Sequence, residues 1–190
     1  LPAPEGARKS YFAGVNMKFL EAMWPYFQGE KLEALVFILP IGLLCMVFGV
    51  WLLSEAQPGF ARGVAIPFVG MGLVIAIIGG TVGFRTPAQV AQIEQAYLVN
   101  PADTLKEEGI RMKKVNDAWH WYLAIWVIFV ILGLGLRLLT HSDILRGFGI
   151  ALVFFAGVGL MIDGFADRRA RSYSDVIYKL SRANQGNTDY

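Results

Sequence analysis

Cysteine is nearly absent: Cys45 is alone in 190 residues, and the only histidines are His120 and His141. One thiol excludes an intrachain disulfide and a cysteine metal cluster. Two histidines near opposite ends of one apolar run make a multi-histidine metal or haem site within the chain untenable, so no cofactor is expected. Cys45 lies inside an apolar run and reads as a packing residue rather than a reactive thiol. Also missing are a phosphate-cradling glycine loop, a dinucleotide glycine pattern, an HExxH helix and a GxSxG elbow, so the expectation is a protein that is not an enzyme. Charge is scarce as well, at 17% of residues. Lys and Arg number 17 against 15 Asp and Glu, and the basic residues are interspersed with acids, so nucleic acid is not an expected partner.

What the chain has instead is apolar residues, 55% of the total with a mean hydropathy of +0.48, gathered into blocks. Residues 34–53 and 63–84 contain no charge, 118–136 carry only His120, and 147–162 are uncharged between Arg146 and Asp163. With its flanking residues, each block comes to roughly 20 residues, enough to cross about 30 Å of hydrocarbon as a helix. Buried helices of a soluble protein would keep polar faces that these runs lack, and the alternation of a membrane β-barrel is absent. The fold class is therefore all-α and polytopic in the membrane: four transmembrane helices forming two helical hairpins, with amphipathic cytoplasmic helices.

The placement of basic residues orients the spans. Fourteen precede the first span, lie between the second and third, or follow the fourth; only Arg62, Arg137 and Arg146 lie on the other face. The positive-inside rule then places both termini in the cytoplasm, and a bacterial inner membrane is the expected location. No short apolar stretch with a cleavage site follows LPAPEGARKS, so the first span is expected to act as its own targeting signal.

Five segments follow. Residues 1–31 form a cytoplasmic amphipathic segment, in which Phe12, Val15, Phe19, Leu20, Met23 and Phe27 recur at helical spacing. It either lies on the membrane surface, with Trp24 and Tyr26 at headgroup level, or packs on another cytoplasmic segment. Residues 32–85 form the first transmembrane hairpin, with Pro40 expected to bend its first helix and Pro58-Gly59 to turn the chain. Residues 86–116 are a cytoplasmic linker with short helices, starting at Thr86-Pro87, stopping near Asn100-Pro101 and interrupted at Gly109. Residues 117–164 form the second hairpin, and 165–190 an amphipathic helix ending in a flexible tail.

An internal repeat is expected at an offset of 84. Over 62–85 against 146–169 there are 8 identities in 24 positions, including Arg62/Arg146, Gly63/Gly147 and Arg85/Arg169. Upstream, GVWLLS at 49–54 echoes GLRLLT at 135–140 with a small change of spacing. Both hairpins run in, out and in, so the axis relating them would be parallel to the membrane normal.

Candidate functional residues are few. Gly72, Gly79, Gly83, Gly157 and Gly159 are candidates for helix packing or partner binding, because small residues let backbones approach closely in lipid. His120 and Asp163 are expected at similar depth on antiparallel helices and form a candidate intramembrane polar pair, part of a cation path or a fastening of two helix ends. Arg62, Arg137 and Arg146 are a candidate outer-face contact for an anion, or simply snorkel to phosphates. Membrane lipids and either a membrane protein partner or a homo-oligomer are the expected partners. The resulting functional expectation is a non-catalytic inner-membrane accessory, assembly or toxin-neutralising protein that binds another membrane protein. A subunit of an oligomeric channel or transporter is the alternative.

Overall fold

The computed structural model describes residues 17–55 and 59–186, and Phe12, Val15 and Pro58, named above, lie outside them. The described residues are helical almost throughout. Helix α1 (Met17–Glu33) passes through a five-residue π-helical segment (Ala34–Ile38) into α2 (Leu39–Ser54). It is followed by α3 (Gly59–Val99), α4 (Pro101–Leu139) and α5 (Asp143–Gly186). Among the described residues, four helices are long and apolar enough to cross a membrane, counting α1 to α2 as one, which makes this a multi-pass membrane protein.

Each helix is about twice as long as a bilayer requires. The 41 residues of α3 reach about 60 Å, against about 30 Å of hydrocarbon. The surplus lies at the basic end of the spans, where the same helices continue as an extramembrane bundle. The segment boundaries expected at 31/32, 85/86, 116/117 and 164/165 thus fall within helices rather than at breaks.

Local chemistry explains several of these continuities. Pro40 sits in the first turn of α2, directly after the π-helical segment. A proline lacks a donor and crowds the carbonyl four residues back, and the wider π turn makes room for that ring without a helix break. Thr86-Pro87 does not start a helix but lies inside α3, where the Thr86 hydroxyl donates to the Val82 carbonyl at 2.6 Å. Helix α4 likewise runs through Gly109 unbroken. The break comes at Asn100: its side chain accepts from the Asp103 amide at 3.3 Å, Pro101 fills the first helical position, and Thr104 donates back to the Asn100 carbonyl at 2.9 Å. At the other end of α4, Arg146 Nε donates to the Thr140 carbonyl at 2.8 Å and fixes the three-residue connection to α5. Helix α5 continues to Gly186, past the point where a flexible tail is expected, and 187–190 lie outside the described residues.

The bundle has two cores. In the extramembrane part, Phe19, Leu20, Met23 and Phe27 of α1 bury against Val90 and Tyr97 of α3, Leu105 and Met112 of α4, and Tyr173 and Ile177 of α5. Of the two positions open to the N-terminal amphipathic helix, its described part takes the second: the apolar face meets protein. A helix needs one partner for one stripe, and three neighbouring helices already supply it. In the spans, Cys45, Phe68, Ala151 and Phe155 form a smaller core. Around it, large apolar side chains such as Leu44, Val47 and Trp121 point outward, 67%, 68% and 74% exposed, as lipid-facing residues do.

Glycines set the approach of the spans. Helix α2 lies antiparallel to α3: a Cβ on Gly72 would come within 2.8 Å of the Gly42 carbonyl oxygen, and one on Gly79 within 2.6 Å of the Leu39 nitrogen. A Cβ on Gly49 would meet Val69 Cγ2 at 2.8 Å and the Ala65 oxygen at 3.0 Å; one on Gly133 would meet Val153 Cγ2 at 2.8 Å and the Gly149 oxygen at 2.5 Å. These two contacts are the same contact shifted by 84 residues. Between the parallel helices α3 and α5 the packing is reciprocal, with Gly63 against Ile144 and Gly147 against Phe60.

Candidate functional site

Two clusters of polar residues remain once the apolar packing is accounted for, both near the basic end of the spans. The first is an ionic cluster inside the extramembrane bundle. Arg111 donates to both carboxylate oxygens of Glu108, at 3.0 and 3.1 Å through Nε and at 2.9 Å through a terminal nitrogen. Its guanidinium also lies 5.8 Å from the Tyr26 ring centre and 5.3 Å from that of Phe27. Tyr26 stacks on Tyr173 at 4.7 Å, and the Tyr173 hydroxyl donates to Glu108 at 3.3 Å. Burial, with the Glu108 carboxylate beside it, holds the Tyr173 phenol protonated far above its ordinary range. Arg169 of α5 pairs with Glu33 of α1. These ties join α1, α4 and α5, and their chemistry is fastening.

The second cluster is a groove of about 300 Å³ between α4 and α5, lined among others by Asn116, His120, Leu123, Trp126, Leu160 and Asp163. Asp163 accepts from the Trp126 indole Nε1 at 2.6 Å. The expected His120–Asp163 pair is therefore replaced: His120 lines the same groove, but the bond to Asp163 comes from Trp126. Similar depth on two helices fixes height, not azimuth, and His120 is turned to the exposed side. One turn beyond Asp163, Asp167 is engaged by Arg171, whose Nε lies 2.8 and 2.9 Å from its two oxygens. In the same lining, Asn116 donates to the Ser174 hydroxyl at 2.9 Å, while its own Oδ1 and the Trp119 Nε1 are enclosed without partners.

The groove marks where the two helix pairs part company. Counting back 84 residues, Trp126 corresponds to Gly42, Leu160 to Ala76 and Asp163 to Gly79. In α2 and α3 those small residues bring the backbones into contact. In α4 and α5 the large ones hold them apart, and the Trp126 ring reaches instead over Gly159, where an added Cβ would lie 2.7 Å from Cη2.

The other candidates disperse. Gly72, Gly79 and Gly83 are used inside the chain, the last against the Leu35 side chain, whereas nothing lies within 4 Å of a Cβ placed on Gly157. Arg146 is held by the α4–α5 connection and by Asp143 at 3.8 Å. Arg137 lines a shallow apolar groove with Leu134, Ile150, Val153 and Phe154, and Arg62 is exposed. Among the described residues no group of three or more His, Cys, Asp or Glu is placed to hold a metal ion. The residues that sequence reasoning passed over as site residues are Trp126, Glu108, Arg111 and Arg169; for the first, the available signal was a tryptophan standing 84 residues after Gly42, at the offset of the identities between 62–85 and 146–169. Comparison with protein-family models, with curated proteins and with solved structures finds no match for this chain.

Proposed function

We propose that the protein is a non-catalytic accessory, assembly or toxin-neutralising component of the bacterial inner membrane that acts by binding another membrane protein. The observation that carries this reading is the contrast between the two halves of each helix. The spans close on one another through glycine and a small apolar core of Cys45, Phe68, Ala151 and Phe155. The extramembrane halves form a fastened bundle rising from the basic end, a platform that a partner on that side can meet. A chain that ties its helices together through buried polar contacts, as Glu33–Arg169 does between α1 and α5 and Tyr173–Glu108 does between α5 and α4, is organised for shape rather than turnover.

The same reading takes the spans as two in–out–in hairpins with the termini in the cytoplasm, and the chain as a tandem duplication. Three sets of contacts support duplication: the Gly49 and Gly133 contacts at an offset of 84, the reciprocal Gly63–Ile144 and Gly147–Phe60 packing, and the buried sets 19, 20, 23, 27 and 104, 105, 108, 112. That last pair has identical internal spacing at an offset of 85. One extra residue therefore lies between 27 and 49, and the π-helical segment at Ala34–Ile38 is where such an insertion is absorbed.

Photo-crosslinkers placed at Glu94 and Lys106 on the extramembrane bundle, and at Leu44 and Leu132 on lipid-facing positions, test the function in native membranes. The expected result is one stoichiometric protein adduct from one or both sets, lost when that partner is deleted. Self-adducts alone, joined by ion flux in reconstituted vesicles, would replace this reading with the channel alternative.

A further inference from the structure

Asp163 ends an uncharged run of α5 that begins after Arg146, and a carboxylate at that depth is costly unless it is paired. Its hydrogen-bond partner is the neutral Trp126 indole, through Oδ2. The neighbouring Asp167 has its own cation in Arg171, so Asp163 is the groove's uncompensated negative charge. Two indoles, Trp119 and Trp126, line the same groove, and aromatic faces favour a cation. Leu123, between the two indoles along α4, and Leu160, one turn before Asp163 on α5, complete the wall, the former 54% exposed and facing the same surroundings as the other lipid-facing residues of α4. The groove thus presents a negative charge at the end of the apolar run of α5, flanked by exposed apolar side chains.

We propose that this groove is a binding site for a phospholipid bearing a primary ammonium headgroup. The ammonium meets Asp163, and an acyl chain lies against Leu160 on the apolar side of it. A primary ammonium suits the site better than a quaternary one because Asp163 retains lone pairs that only N–H donors satisfy. An anionic headgroup without an amine would add charge of the same sign as Asp163. The lipid source is favoured over a water-borne amine by the exposed Leu123 and Leu160, which a small soluble amine would leave uncovered.

Native mass spectrometry of the full chain, released from nanodiscs holding equal amounts of ethanolamine, choline and glycerol phospholipids with identical acyl chains, tests this directly. The ethanolamine lipid is expected to be retained about tenfold over each of the others, the size of one charge-assisted hydrogen bond. Asp163→Asn is expected to abolish that preference, whereas Arg62→Gln, at the opposite end of the spans, is expected to keep it. Equal retention of the three lipids by the unaltered protein overturns the proposal whether or not the variants fold. A preference that survives Asp163→Asn also overturns it. Displacement of the bound ethanolamine lipid by millimolar ethanolamine alone would assign the site to a soluble amine and overturn the lipid assignment.

Discussion

Glu30 carries a carboxyl oxygen enclosed at the base of the bundle with no hydrogen-bond partner. Burial pushes its pKa above the usual carboxylate range; nearby Arg85, Arg111 and Arg169 oppose the shift and Glu33 adds to it. A carboxyl with a raised folded-state pKa contributes stability while protonated, and that contribution is lost as pH climbs through the raised value. Glu30→Gln is therefore expected to raise the thermal midpoint in detergent at pH 8, with the gain shrinking towards pH 5; a gain independent of pH would count against this account. Such residues were not legible in the sequence, because a glutamate among lysines on an amphipathic helix looks like part of a solvated face. Asp163 was legible, since it bounds an apolar run, but its partner was not. Sequence gives the depth of a residue on a span, while the choice between His120 and Trp126 depends on how α4 is rotated.

Between elements, the glycine contacts divide into those that a side chain cannot enter and those it can. Gly42→Leu would drive atoms into the backbone of Ala76 and Gly72, and is expected to cost about 3 kcal/mol, the upper range for overpacking, in a denaturant titration in micelles. Gly70→Leu meets open space and is expected to stay within about 0.5 kcal/mol of the unaltered protein. The π-helical segment makes a separate prediction. Deleting Val36 while replacing Pro40 by Ala is expected to leave an ordinary helix with α1 still in register and a midpoint equal or higher. Deleting Leu44 would rotate everything on one side of it by about 100° and is expected to prevent folding. The apolar runs made the four spans readable from composition alone. The helix ends were harder, because Thr86-Pro87 and Gly109 are genuine local breakers that burial of Val90, Leu105 and Met112 overrides.

At the scale of the whole molecule, the sidedness read from charge is open to labelling. With Cys45 replaced by Ala, Thr140→Cys is expected to react with an impermeant maleimide in intact cells, and Asp103→Cys only after permeabilisation; the reverse pattern would invert the orientation. The identities between 62–85 and 146–169 were visible, but the like spacing of the buried positions in α1 and α4 was not, because it lies at an offset of 85 and is one of burial rather than residue type. What the unbroken helices imply is mechanical. Beyond the spans, α3 and α4 continue for about 16 residues to the turn at Asn100, an arm of about 24 Å. With no hinge between bilayer and tip, a tilt of about 10° in the spans moves that turn by about 4 Å, so a change in membrane thickness or in a neighbouring helix reaches the far end as a displacement, as a lever transmits a movement of its short arm.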